Sequence, residues 1–143
     1  MEKVFLYTDG GSRNNPGPAA TGFLIKTESG QTLRKGGKFL GQATNNEAEY
    51  YALLGGLQEA KEFRPQQLEC FLDSSLVVNQ LNGRFKIKEA RLKELIFAVK
   101  KLETEFITVR YNYIPREKNK EADVIVNQIL DEQAGNFKNT SLL

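Results

Sequence analysis

Residues 4–20 read VFLYTDGGSRNNPGPAA. The first six are apolar and β-prone up to a terminal carboxylate, Asp9, the pattern of a strand buried at the centre of a sheet. GGSRNNPGPAA, residues 10–20, then carries three Gly and two Pro, which predicts a loop. A charge at the end of an apolar strand is costly if it is dry and unpaired, so Asp9 needs a reason to be there. Taken alone, it reads either as a cap for the Gly-rich loop or as a functional carboxylate.

Outward from that stretch, Thr21–Glu28 and Thr32–Leu40 read as two more strands joined at Ser29-Gly30, a hairpin turn. A long helix is expected from about Asn45 to Phe63, opened by Thr44 and Glu47 in a T-x-x-E capping box and stopped by Pro65. QLECFL, residues 67–72, is a further strand, again followed by a carboxylate, Asp73. Helical patterning returns at 75–81 and from about Glu89 to Thr104. Phe106–Ile114 is the fifth strand, and a last helix covers about 120–132. The fold expected is α/β: a five-stranded mixed sheet, made of a three-strand antiparallel meander plus parallel strands, with helices on both faces. Residues 1–133 form one domain, and 134–143 a frayed tail whose Phe137 and terminal leucines can dock on the body.

Composition narrows the chemistry. At 143 residues, with 40% hydrophobic and 27% charged side chains, the chain has globular proportions. A net charge of +2 is too small to identify a polyanionic partner by itself. Cys70 is the only cysteine and there is no histidine. An internal disulfide, a Cys-His pair, a Ser-His-Asp triad and a His- or Cys-built zinc site are therefore excluded. No apolar run approaches the ~20 residues of a membrane span, and a first strand at Val4 leaves no room for a signal peptide. The expectation is a cytoplasmic monomer with no membrane partner.

Two further carboxylates stand in places that ask for explanation. Glu49, Leu53, Leu57 and Ala60 share one helix face. That face is apolar apart from Glu49, which must then point at the sheet. Glu47 lies about 200° around the helix from it and is explained by its cap. Asp123 borders the apolar face of the last helix, one turn from its start; taken alone it reads first as a charge favoured by the helix dipole. If the strands ending at Asp9 and Asp73 are parallel neighbours, both carboxylates reach the crevice beyond their carboxyl ends. Together Asp9, Glu49, Asp73 and Asp123 map to one end of one sheet. Carboxylates so clustered repel one another unless cations join them, and oxygen-only ligation suits Mg²⁺ or Mn²⁺. A pair of such ions is the arrangement that supports in-line phosphoryl displacement.

The segments YTDGGSRNNPGP (7–18), TNNEAEYYAL (44–53), LDSSLVV (72–78) and PREKNKEAD (115–123) resemble the successive motifs of type 1 ribonuclease H. The resemblance runs from about residue 4 to residue 132. It implies the ribonuclease H-like fold and endonucleolytic hydrolysis of the RNA strand of RNA/DNA hybrids, with 5′-phosphate and 3′-hydroxyl ends. It also implies two Mg²⁺ or Mn²⁺ ions: Asp9 bridging both, Glu49 and Asp73 holding the one on the leaving-group side, and Asp123 the one that activates water. Gly10, Gly11, Ser12 and Asn14 match the loop that lies against ribose 2′-hydroxyls. Thr44, Asn45 and Asn46 match the stretch that touches the hybrid's backbone and minor groove.

The chain also departs from the family. Many bacterial members carry a histidine before the last aspartate, where this chain has a shorter loop with Arg116 and Glu117 as the auxiliary residues. The tryptophan-rich basic protrusion has no counterpart, since there is no tryptophan and residues 82–90 are too few. Arg84, Lys86, Lys88, Arg91 and Lys93 form a modest basic patch that suits phosphates or a solvated helix face. The short form, without protrusion or hybrid-binding domain, is thus the expectation. A catalytically weak or silent nucleic-acid-binding module of the same fold is the alternative, although four negative charges do nothing for binding a polyanion.

Overall fold

The computed structural model of the chain describes the backbone of residues 2–142 and the side chains of residues 2–135. Six strands, β1 (Lys3–Ser12), β2 (Gly17–Thr27), β3 (Thr32–Gly36), β4 (Phe39–Ala43), β5 (Gln67–Leu72) and β6 (Val109–Tyr113), form one mixed sheet. Four helices accompany them: α1 (Asn45–Ala60), α2 (Ser75–Leu81), α3 (Ala90–Glu103) and α4 (Lys120–Leu142). The path across the sheet is β3-β2-β1-β5-β6, with β4 also paired to β2. β1 is central, antiparallel to β2 and parallel to β5, and β5 is parallel to β6.

Strand pleating sends alternate residues of β1 to opposite faces. A Cβ added at Gly56 of α1 would touch Leu6 and Thr8, whereas one at Gly11 would meet Val126 of α4. Helices α1 and α4 therefore cover opposite faces, as the α/β reading requires. The larger core lies on the α1 side, where Leu6, Leu53, Leu57, Leu68 and Val99 are fully buried. A smaller one, Ala20, Val126 and Leu130, sits under α4.

Three details correct the sequence reading. Gly10, Gly11 and Ser12 are not loop: they continue β1 and pair with Thr21, Ala20 and Ala19 of β2. The turn shrinks to residues 13–16, and β2 begins at Gly17 rather than Thr21. Glycine content suggested a loop, but here glycine serves close approach, because a Cβ at Gly10 would lie 2.1 Å from the Ala48 carbonyl oxygen of α1. The sheet also has six strands rather than five, because the expected third strand breaks at Gly37-Lys38 into β3 and β4. A Cβ at Gly37 would stand 2.1 Å from the Thr21 carbonyl, and Lys38 exchanges hydrogen bonds with Thr21 at the break. Finally, α4 continues past 132 to Leu142. The docking of Phe137 and the terminal leucines lies outside the described side chains.

Candidate active site

The parallel β1–β5 ladder ends at the pair Tyr7↔Phe71. Asp9 and Asp73 each lie two residues beyond it, so register alone brings them side by side on one face of the sheet. The Tyr7 and Phe71 rings, stacked at 4.9 Å, mark the same face one step earlier. Glu49 arrives from α1. The capping box that sets its helix register is complete: Thr44 Oγ1 accepts from the Glu47 N–H at 3.1 Å, and Glu47 Oε1 accepts from the Thr44 N–H at 2.9 Å. Glu49 itself is buried, and its Oε1 accepts the Gly10 N–H at 3.3 Å.

One oxygen from each of Asp9, Glu49 and Asp73 lies within 4.8 Å of the others. Asp123, brought by the first turn of α4, stands outside that tight triad but lines the same cleft of about 490 Å³. Burial first, and the Asp73 charge second, push the Asp9 carboxyl from an ordinary 3.8 up to about 7; the proximity of the Glu49 carboxyl opposes the rise and Asp123 adds to it. Glu49 is raised well above the usual carboxylate range, again by burial and then by Asp9 and Asp73. Asp9 and Glu49 thus hold their protons to higher pH than ordinary carboxylates do.

A divalent cation fits this donor set. All its donors are carboxylate oxygens, which suits a hard ion. Glu49 Oε2 is shielded from solvent with no hydrogen-bond partner among the described residues, a costly condition that a cation would relieve.

Around the carboxylates, the cleft is lined by Gly10, Gly11, Ser12, Asn45, Asn46 and Arg116. Asn45 Oδ1 accepts the Ser12 N–H at 2.8 Å, tying β1 to the start of α1. Ser12 Oγ is shielded and unpartnered among the described residues. Asn14 sits in the turn with φ 63°, and neither it nor Thr44 is part of the lining. Glu117 borders a separate cavity beside Lys26.

Two contributors escaped the sequence reading. Arg13 lines the cleft and is held by Asp131 of α4 at 2.7 Å; within a run of turn formers its charge had no partner to suggest a direction. Asn119 is buried and donates to Asp73 Oδ2 at 2.9 Å. Its only sequence signal was an Asn just before a helix, which reads as a cap.

The model for the reverse transcriptase-like family matches residues 7–129. The chain is 38% identical over 133 residues to the bifunctional protein Rv2228c of Mycobacterium tuberculosis, covering 92% of this chain and 36% of that protein. The solved N-terminal RNase H domain of Rv2228c superposes with a TM-score of 0.90 at 36% identity, over 95% of this chain and 99% of the other. The RNase H1 of Halobacterium salinarum, 38% identical, gives a TM-score of 0.88 over 91% of this chain and 98% of that structure. The chain belongs to the type 1 ribonuclease H family. LC11-RNase H1, another member of the family at 38% identity, was solved in complex with an RNA/DNA hybrid; its TM-score is 0.88, over 92% of this chain and 99% of that one. Against these curated relatives the coverage is partial: the chain spans 36% of the length of Rv2228c and 65% of the ribonuclease HI of Halobacterium salinarum. Among the described residues of this family member, no helix is long and apolar enough to cross a membrane.

Proposed function

We propose that the chain is an endonuclease that hydrolyses the RNA strand of RNA/DNA hybrids with two bound Mg²⁺ or Mn²⁺ ions, by in-line displacement, leaving 5′-phosphate and 3′-hydroxyl ends. The observation that carries this reading is the Asp9–Glu49–Asp73 triad at one end of the sheet, with Asp9 and Glu49 buried, Asp73 partly so, and one Glu49 oxygen unpartnered among the described residues. The hybrid-bound relative supports the substrate class. Residues 1–133 are the catalytic unit in this reading, with 134–143 an appended tail. The working form is a cytoplasmic monomer.

Asp9, Glu49, Asp73 and Asp123 would hold the ions. When bound, they supply charge stabilisation at the scissile phosphate and activation of the attacking water. The remaining work falls to the chain itself. Asp9 and Glu49 must release the protons that burial lets them keep, so metal and proton compete for the same oxygens. Gly10 and Gly11 let the substrate approach the β1 backbone closely. Asn45 spends its Oδ1 on Ser12 and keeps its Nδ2 as a donor at the cleft, beside Asn46. Arg13 and Arg116, the arginines that line the cleft, attract the phosphate backbone.

Discrimination between strands rests on the 2′-hydroxyl. The test is incubation with labelled RNA/DNA, RNA/RNA and DNA/DNA duplexes in Mg²⁺, Mn²⁺ or EDTA. Cleavage of the hybrid that EDTA abolishes is expected, and 2′-deoxy substitution only around the scissile phosphate should block it. Equal cutting of DNA/DNA, or a rate indifferent to EDTA, would overturn the proposal. Metal-independent binding without cleavage would instead favour the silent-module reading.

A further inference from the structure

Asn119 occupies the N-cap position of α4: its carbonyl accepts the Asp123 N–H at 3.2 Å, the first bond of that helix. An asparagine there ordinarily turns its side-chain oxygen onto the free N–H groups of the first turn. This one does not. Its Oδ1 has no hydrogen-bond partner among the described residues. The amide instead turns into the sheet, where Nδ2 donates to Asp73 Oδ2 at 2.9 Å and to the Thr8 carbonyl at 2.8 Å. Asn119 is 2% exposed. Thr8 precedes Asp9, so one carboxamide joins the three segments that deliver Asp9, Asp73 and Asp123.

Both partners of Nδ2 are acceptors, a carbonyl and a carboxylate, so only the amino end of the carboxamide can face them. The side chain thus forgoes capping its own helix in order to donate into the carboxylate cluster. We infer that Asn119 is a positioning residue that orients the Asp73 carboxylate for metal binding. The inference rests on the hydrolytic reading above. It also predicts a role that a mere fastener between α4 and β1 would not have. A donor to one carboxylate oxygen fixes its plane and leaves the other oxygen for the cation, as partners of metal ligands do elsewhere.

The test compares Asn119→Ala with Tyr50→Phe. Tyr50 is buried and donates to Gln80 at 2.6 Å, and neither residue lines the cleft. Tyr50→Phe therefore removes a buried hydrogen bond without touching the site. Calorimetric titration of each purified protein with Mn²⁺ alone is paired with steady-state hybrid cleavage in saturating Mg²⁺ and with thermal melts. Asn119→Ala is expected to weaken Mn²⁺ binding on the order of 10-fold and to lower kcat while KM for the hybrid holds. Tyr50→Phe should lose stability and leave Mn²⁺ affinity and kcat unchanged. Wild-type Mn²⁺ affinity in Asn119→Ala, or an equal loss in Tyr50→Phe, overturns the inference. Should Asn119→Ala fail to fold, Asn119→Gln is judged by the same criteria, since it keeps the donor but displaces it by one methylene. Failure of the wild type to cleave any hybrid would sink the proposed function instead, and the Mn²⁺ comparison would still decide the role of Asn119.

Discussion

The backbone N–H of Gly10 donates to Oε1 of Glu49 across 3.3 Å, and the same glycine has no room for a side chain. A Cβ there would lie 2.1 Å from the Ala48 carbonyl oxygen and 2.6 Å from the Glu49 nitrogen. The central strand and α1 thus touch backbone to backbone at the position where Asp9 and Glu49 must meet. Gly10→Ala would force them apart, an overpacking against rigid backbone expected to cost about 3 kcal/mol, or roughly 10 °C in melting temperature for a domain of this length. Gly11→Ala is the control, since its Cβ would meet only Val126 Cγ1 at 3.7 Å. Its melting temperature should stay within a few degrees of wild type, as read by circular dichroism.

Glu47 and Glu49 are two residues apart with opposite assignments. Glu47 is spent on the cap and on a loose contact with Arg91 at 3.6 Å. Glu47→Gln keeps the cap, because Gln also serves in a capping box, and should change hybrid cleavage less than 2-fold. Glu49→Gln should keep the fold and lose several orders of magnitude in rate. Kinetics on both variants check the assignment; reversed effects would refute it.

The legibility of these features in the sequence has a pattern. Helical periodicity placed Glu49 on the buried face and Glu47 off it, because a capping box fixes phase locally. Two apolar runs ending in carboxylates suggested Asp9 and Asp73 as a pair on condition that their strands lie parallel and adjacent, and the β1–β5 register supplies that condition. What stayed hidden depends on contacts distant in sequence. Nothing within residues 10–12 states that α1 will lie on Gly10, so glycine there read as loop. The break at Gly37 arises from the Thr21 carbonyl sixteen residues earlier. Asn119 carries only the local signal of a helix cap, and its actual partners, Thr8 and Asp73, are 111 and 46 residues away.

Asn45 offers a substitution that separates its two hydrogen-bonding ends. Asn45→Asp keeps the acceptor for the Ser12 N–H and sets a negative charge at the start of α1, which the helix dipole favours by about 0.3–1 kcal/mol. Stability should therefore hold or rise slightly. The variant loses the Nδ2 donor and turns a carboxylate toward the phosphates, so KM for the hybrid should rise on the order of 10-fold, with the gap shrinking at high salt as screening grows. Melting curves and a salt series of KM values check both halves.

Asp9 yields a prediction whose sign depends on its role. Burial and the Asp73 charge raise its pKa to about 7 in the metal-free fold, against about 3.9 in an unfolded chain. The folded state therefore binds this proton more tightly. The stability associated with it is fully present below about pH 4 and is lost as pH rises through 7, at no more than about 1.4 kcal/mol per pH unit. Other carboxylates titrate over part of this window, so the informative quantity is the difference between wild type and Asp9→Asn. The variant has no such proton to lose. Without metal it should melt progressively higher than wild type as pH is raised from 4 to 7, with the gap flattening above about pH 7. Mg²⁺ should narrow the gap at pH 7.5, because a cation bound only by the folded state stabilises wild type more. Hybrid cleavage by the variant should be abolished throughout. An Asp9 that served only as a structural hydrogen-bond acceptor would give the opposite result: a lower melting temperature for Asp9→Asn at every pH, indifference to Mg²⁺, and cleavage retained. Thermal melts of the two proteins across pH 4–8, with and without Mg²⁺, distinguish the two roles.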